Sequence, residues 1–369
     1  MYVSGDNSNS QLDNTTSDQT ITPPRKSNLD ISSLLSFSTA HNHSVWVDTN
    51  FNAHSSYNYQ IDVKNNDNQP SKFVSAVCAN NYTLYLVKYP GQNDKFQLLY
   101  EQNYRIYHFL NIGDRNPIAL YGGYHNSAAI DSEGAILLFT RYDTALIKPV
   151  FLPNNDKAIS IACCESFYIA LGSGGKAYIC NINNNSNPTF TLIDKLANKR
   201  FTSISGTNKH CFLVSNDGKV YGHGINECKC LGVEANSLEF GLIDSLSNFS
   251  IKEAFAGYNH SFFITSDGDS YACGYNDQSQ TLINQGPNHN NVCPPVLQNI
   301  QEGKATFYVL GYNTTVLFIV SNVPQNMPNK NIERFINEDE MKKLIEDEYE
   351  YEFEEEEELN IEERKEKVV

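Results

Sequence analysis

Ile251-Lys252-Glu253-Ala254-Phe255-Ala256-Gly257-Tyr258-Asn259-His260-Ser261-Phe262-Phe263-Ile264-Thr265-Ser266-Asp267-Gly268-Asp269-Ser270-Tyr271-Ala272-Cys273-Gly274 holds three short strands and two turns. An apolar strand runs to Ala256, a polar pivot follows at Gly257-Tyr258-Asn259, and His260-Ser261 opens a second apolar run through Phe262, Phe263 and Ile264. Asp267-Gly268 between two apolar runs is a hairpin signal, because such a turn needs a residue that accepts positive φ.

The same order returns along the chain. Ile204-Ser205-Gly206 leads to His210, Phe212-Leu213-Val214, Asp217-Gly218 and Val220-Tyr221-Gly222. Leu120 to Gly123 leads to His125-Asn126-Ser127 and Glu133-Gly134, and Ile161 to Cys164 leads to Phe167 and Gly174-Gly175. Fainter copies begin at Ala40-His41-Asn42-His43-Ser44, Ala79-Asn80-Asn81-Tyr82 and Gly311-Tyr312-Asn313-Thr314. The pivots stand at 40, 79, 123, 164, 206, 257 and 311, separated by 39, 44, 41, 42, 51 and 54 residues. Seven units of this length, built of strands and tight turns, predict a seven-bladed β-propeller. Convincing 3.6-residue apolar patterns are few between the hairpins, which argues against a solenoid with helical crossovers.

After the seventh hairpin the chain reaches Phe318-Ile319-Val320 without another Asp-Gly turn and outer strand, and Met1 to Asn7 resembles that missing piece as it occurs at Asp269 to Asn276. The expectation is an all-β propeller over 1–323 closed by an N-terminal strand, which covers edges that would otherwise invite pairing with other chains. Residues 324–369 are expected to form a separate acidic tail, partly helical or disordered. Asn331 to Val369 carries 17 acidic and 6 basic side chains, a net −11 of the chain's −16, which leaves −5 for the first 330 residues.

In this order of strand, Gly-x-x-His-Ser/Thr, strand, Asp-Gly turn and strand ending Gly-x-Asn, the chain resembles the regulator of chromosome condensation family. Gly257-Tyr258-Asn259-His260-Ser261 carries the first motif, while Gly5-Asp6-Asn7 through Leu12 and Gly224 through Gly232 partly match the closing one. The resemblance covers about residues 1–323. It implies a propeller, and its founding activity is guanine nucleotide exchange on the small GTPase Ran. In that activity acidic residues near the second and third pivots act with a His in a longer fifth pivot. Those positions fall here on Asn80, His125 and His210, so the carboxylates are missing, although Gly206-Thr207-Asn208-Lys209-His210 keeps the extra residue. The family's wedge segment corresponds to Lys88 to Lys95, which shows no plain insertion. The basic arm expected of a chromatin-bound member is reduced to Arg25-Lys26.

The residues themselves point to no reactive centre. His43 and His260 recur at one repeat position, as hydrogen-bonding structural elements do. His223, Cys228 and Cys230 lack the paired spacing of a zinc site, and the glycine clusters open no phosphate-binding helix. No catalytic residue, metal or cofactor is expected. Nine cysteines without a secretory leader, and no long apolar stretch, predict reduced thiols in a cytosolic or nuclear protein that does not span a membrane. A pI near 5.0 argues against direct DNA binding. The expected role is a non-enzymatic regulatory module that binds a protein partner through its loop faces; exchange on a Ran-like GTPase is the alternative. The acidic tail offers a docking segment for a basic partner, a mask for the propeller's own surface, or a solubilising extension.

Overall fold

The structure, a computed structural model, describes residues 1–319 except 10, 13–17, 28–32, 42, 57–59, 62, 64–70, 89–94, 103–105, 141–145, 183–186, 235–236, 284–290 and 299–305. The tail at 324–369 and most of the wedge segment at 88–95 therefore lie outside the described residues. Seven antiparallel sheets make up the rest. Their first strands are Leu34–Thr39, Lys72–Ala79, Pro117–Gly122, Ala158–Cys163, Phe201–Gly206, Ile251–Ala256 and Phe307–Leu310, which define blades one to seven in that order. Each first strand meets the first strand of the next blade, and Phe307–Leu310 meets Leu34–Thr39 to complete the circle. Six sheets have four strands; blade three has three among the described residues.

Second strands such as Tyr82–Lys88 and His260–Thr265 are almost wholly buried, because each blade is covered on both faces by its neighbours. Their side chains therefore divide with period two between two cores. Leu84 and Leu86 pack with Leu120 and Leu137 of blade three, whereas Tyr85 and Val87 pack with Val45 and Val47 of blade one. This two-sided burial makes the strands read as continuous apolar runs instead of alternating ones.

The turn glycines behave as their sequence implies. Gly134, Gly175, Gly218 and Gly268 take φ of +81°, +74°, +75° and +83°, each donating its N–H to the carbonyl three residues earlier. Closure is more extensive than one strand. Tyr2–Asp6 pairs with Thr314–Phe318 as expected, and Thr20–Lys26 then adds outside it, so the N-terminal segment supplies half of blade seven. Pro23 and Pro24 hide this second strand in the sequence, yet prolines are tolerated on an outermost strand. Short 3-10 turns occur at Pro153–Asn155, Asp194–Leu196 and Asp244–Leu246. No helix among the described residues is long and apolar enough to cross a membrane.

Candidate functional site

The pivots between first and second strands gather at one mouth of the central channel. Their backbones cross-link it: Asn80 N–H donates to Tyr124 O at 2.8 Å, Tyr124 N–H to Thr207 O at 3.4 Å, and Tyr258 N–H to Gly311 O at 3.1 Å. The longer fifth pivot lies across this net. Asn208 O accepts from Glu165 N–H at 2.6 Å, and Thr207 Oγ1 donates to Gly257 O at 2.7 Å. Thr207 and Asn208 of that pivot thus tie blade five to blades three, four and six.

Aromatic side chains fill the mouth. Tyr258 and Tyr312 have ring centroids 4.2 Å apart, Tyr124 and Tyr258 are 4.5 Å apart, and His41 meets Tyr312 at 4.4 Å. Together with Ala40, Gly123 and Gly311, the three tyrosines line a recess leading into the channel. Burial, the neighbouring tyrosines and Glu165 push the Tyr124 hydroxyl up to about 12; burial, Tyr312 and Glu165 raise that of Tyr258 against an opposing hydrogen bond from the Asn208 side chain. Glu165 stands at the rim with His125 Nε2 at 3.9 Å and Lys209 Nζ at 4.0 Å.

Of the residues singled out by resemblance, Asn80 and His125 lie at this mouth, the His125 ring 4.4 Å from Tyr124. The expectation that His210 faces a partner is corrected by its position: the ring is 1% exposed and its Nε2 sits 2.9 Å from Ser261 Oγ. It belongs with His43, bonded to Thr83 Oγ1 at 3.1 Å, and His260, bonded to Thr315 Oγ1 at 3.0 Å. His210 and His260 open second strands and His43 immediately precedes one; each imidazole reaches the second residue of the second strand in the next blade. Tyr82 does the same through its hydroxyl to Ser127 Oγ at 3.0 Å, and Asn126 bonds the carbonyl of Cys164 at 2.8 Å. Burial holds the pKa of His43 and His210 down at about 4. Burial, with His210 nearby, holds that of His260 at about 3, so all three rings are neutral near pH 7.

The motif that ends Gly-x-Asn forms a second inter-blade device. Asn7, Asn226 and Asn276 each accept, on Oδ1, the N–H five residues later, at 2.9, 2.8 and 2.9 Å. The loop so formed plugs into the next blade: the Gln11 carbonyl accepts from Ser44 Oγ and the Gln280 carbonyl from Thr315 Oγ1, both at 2.5 Å. His223, considered as a metal ligand, is stacked on Phe240 at 4.7 Å with Phe167 at 5.1 Å, which uses its ring for packing. Among the described residues no cluster of three or more His, Cys, Asp or Glu side chains is arranged to hold a metal.

Glu165, Asn208 and the three tyrosines were not singled out from the sequence. A signal existed in the Gly-Tyr steps at 123–124, 257–258 and 311–312, which repeat in three of the seven pivots.

Residues 251–280 match the family model of the regulator of chromosome condensation (RCC1) repeat. No curated protein sequence matches the chain. Among solved structures, human WBSCR16 superimposes with a TM-score of 0.68 at 9% identity, covering 87% of this chain and 99% of that one. Prp20p from Saccharomyces cerevisiae, described with its binding properties to Gsp1p and histones, gives 0.66 at 15% identity over 86% of this chain and 90% of its own. Yeast RCC1 (Prp20) in complex with Kap60 gives 0.67, also at 15% identity, over 86% and 87%. At these identities the likeness is one of fold.

Proposed function

Because the chain is a divergent repeat protein of the regulator of chromosome condensation type, we propose that it is a non-enzymatic regulatory module that engages a protein partner across the pivot-lined mouth. One observation carries this reading. Tyr124, Tyr258 and Tyr312, from three different blades, meet half-exposed at a single opening. Tyrosine combines large apolar area with a polar tip and is favoured where proteins meet. The two yeast neighbours are solved with, or described by, protein partners, which supports the same class of role. The reading places the protein in the cytosol or nucleus.

The test is affinity purification with full-length chain against Tyr258→Ala and Tyr312→Ala, each verified as folded by thermal melting. Partners are expected to be lost from both variants. An unchanged partner list in both would remove the mouth from the account.

A second reading, nucleotide exchange on a Ran-like GTPase, is favoured by Glu165. Asn80 and His125 lack a carboxylate, but Glu165 brings one to the same opening, where an acid competes with phosphate for its cationic ligands. Release of labelled GDP from Ran, accelerated by the wild type and not by Glu165→Gln, would establish exchange. No acceleration by the wild type would dismiss it.

A further inference from the structure

Two acceptors at the mouth lack a hydrogen-bond donor among the described residues. Asn208 is 2% exposed; its side chain hydrogen-bonds the Tyr258 hydroxyl, while its Oδ1 is buried without a hydrogen-bond partner among the described residues. The Glu165 carboxylate, 39% exposed, has His125 and Lys209 only at 3.9 and 4.0 Å, outside hydrogen-bonding range. The backbone bond from Glu165 N–H to Asn208 O keeps these two residues side by side. Beside them stand the tyrosine rings, whose faces carry negative electrostatic potential. A buried acceptor without a donor is rare in folded proteins and asks for an occupant.

Resting on the reading of this mouth as the partner face, we propose that its occupant is an arginine side chain of the partner, its guanidinium against Tyr258 and Tyr312 with N–H groups donated to Glu165 and Asn208. An anion would meet a carboxylate and the negative faces of the rings. An ammonium is a compact, strongly hydrated charge that gains less from a flat aromatic wall. A guanidinium is planar, carries five donors and no acceptor, and stacks on aromatic faces, so it answers both orphan acceptors and the rings at once. Lys209 is the internal competitor. It is 44% exposed and holds Glu165 only at the limit of an ion pair, so an entering guanidinium displaces it at little cost.

The test uses full-length protein labelled with 3-fluorotyrosine and three pentapeptides, acetyl-Gly-Gly-X-Gly-Gly-amide with X arginine, lysine or citrulline. Signals are assigned with Tyr124→Phe, Tyr258→Phe and Tyr312→Phe. The arginine peptide is expected to shift the signals of Tyr258 and Tyr312 saturably, about fivefold more tightly than the lysine peptide, and the citrulline peptide not at all. Glu165→Gln weakens the arginine peptide and Lys209→Met strengthens it. Asn208→Leu also weakens it, and should that variant fail to fold, Glu165→Gln carries the test alone. Equal binding of citrulline, or no effect of Glu165→Gln, overturns the inference, since the orphan acceptors would then be serving water. If the tyrosine variants lose the partner but no arginine peptide binds, this inference falls and the mouth stands as the partner face. If the peptide binds but partner capture ignores the mouth, the partner's arginine is not the occupant and the inference falls with the reading beneath it.

Discussion

His260 Nε2 lies 3.0 Å from Thr315 Oγ1 across the boundary between blades six and seven, and the same hydroxyl donates to the carbonyl of Gln280 at 2.5 Å. One threonine therefore joins both inter-blade devices, the imidazole belt and the plugged Asn loop. Adjacent blades meet mainly through apolar faces, which tolerate sliding. Fixed hydrogen bonds at the boundary define the register of one sheet on the next.

Thr314 and Thr315 are neighbours with opposite satisfaction, and the same substitution separates them. Thr315→Val leaves both His260 and Gln280 without their partner in a buried site, at a cost of about 1–3 kcal/mol. Thr314 Oγ1 is buried and has no hydrogen-bond partner among the described residues, so Thr314→Val removes an unsatisfied hydroxyl and is expected to be neutral or stabilising. Urea unfolding of the two variants decides it; equal destabilisation would refute the assignment.

The belt also sets a pH dependence. Unfolded histidine titrates near 6.5, whereas His43 and His210 are held at about 4 and His260 at about 3. Above pH 6.5 neither state binds these protons, and their contribution is flat. As pH falls from about 6.5 to 4, the unfolded chain takes up protons that the folded one refuses, so stability drops, by about 3 kcal/mol for each ring. Asp217, kept charged to lower pH by the Ser215 hydroxyl, adds its own loss only below about 4. Urea midpoints at pH 7, 5.5 and 4.5 should fall steadily, and His43→Gln and His210→Gln should flatten the decline. A slope unaltered by both substitutions would place the sensitivity elsewhere.

Much of this was written in the sequence, and the exceptions have physical reasons. The pivots and Asp-Gly turns are local signals, so even the faint units at 40, 79 and 311 fold as the repeat requires. What the mouth contains depends on which pivots face one another across a closed ring. Tyr124 and Tyr258 are 134 positions apart in sequence and 4.5 Å apart between ring centroids, which no local pattern encodes. His210 is read only through the resemblance to an exchange factor, which points to a surface role; its shared position with His43 and His260 emerges when the strands are aligned in space, because the longer fifth pivot shifts it in the linear pattern.

Glycine at the end of the third strand is required by close approach as well as by φ. Gly224 has φ +124°, and a Cβ there would come within 2.0 Å of Lys209 O; at Gly274, with φ +102°, it would meet Asn259 O at 2.4 Å. Gly113 also has positive φ, +63°, but a Cβ would find only Leu146 Cδ1 at 4.0 Å. Gly113→Ala should therefore cost about 1 kcal/mol from backbone strain alone. Gly224→Ala and Gly274→Ala must push the pivots aside and should cost about 3 kcal/mol or more. Thermal melts rank the three, and a Gly113 variant as damaging as the others would contradict this order.

Closure is the most exacting test. Met1, Val3, Leu12 and Ile21 bury their side chains with Phe37 of blade one and Val316 and Phe318 of blade seven. Burying four such side chains contributes on the order of 10 kcal/mol, comparable with the whole net stability of a typical domain, about 5–15 kcal/mol. Removing residues 1–27 also strips the edge of Thr314–Phe318, exposing backbone that pairs with other chains. The truncated chain should lose its cooperative melt and aggregate, and a synthetic peptide of residues 1–27 added in trans should restore a monomer. In the peptide, Val3→Asp puts a charge into this core and should abolish rescue. A truncated chain that stays monomeric with an unchanged Tm would mean that the ring closes without its N-terminal strands.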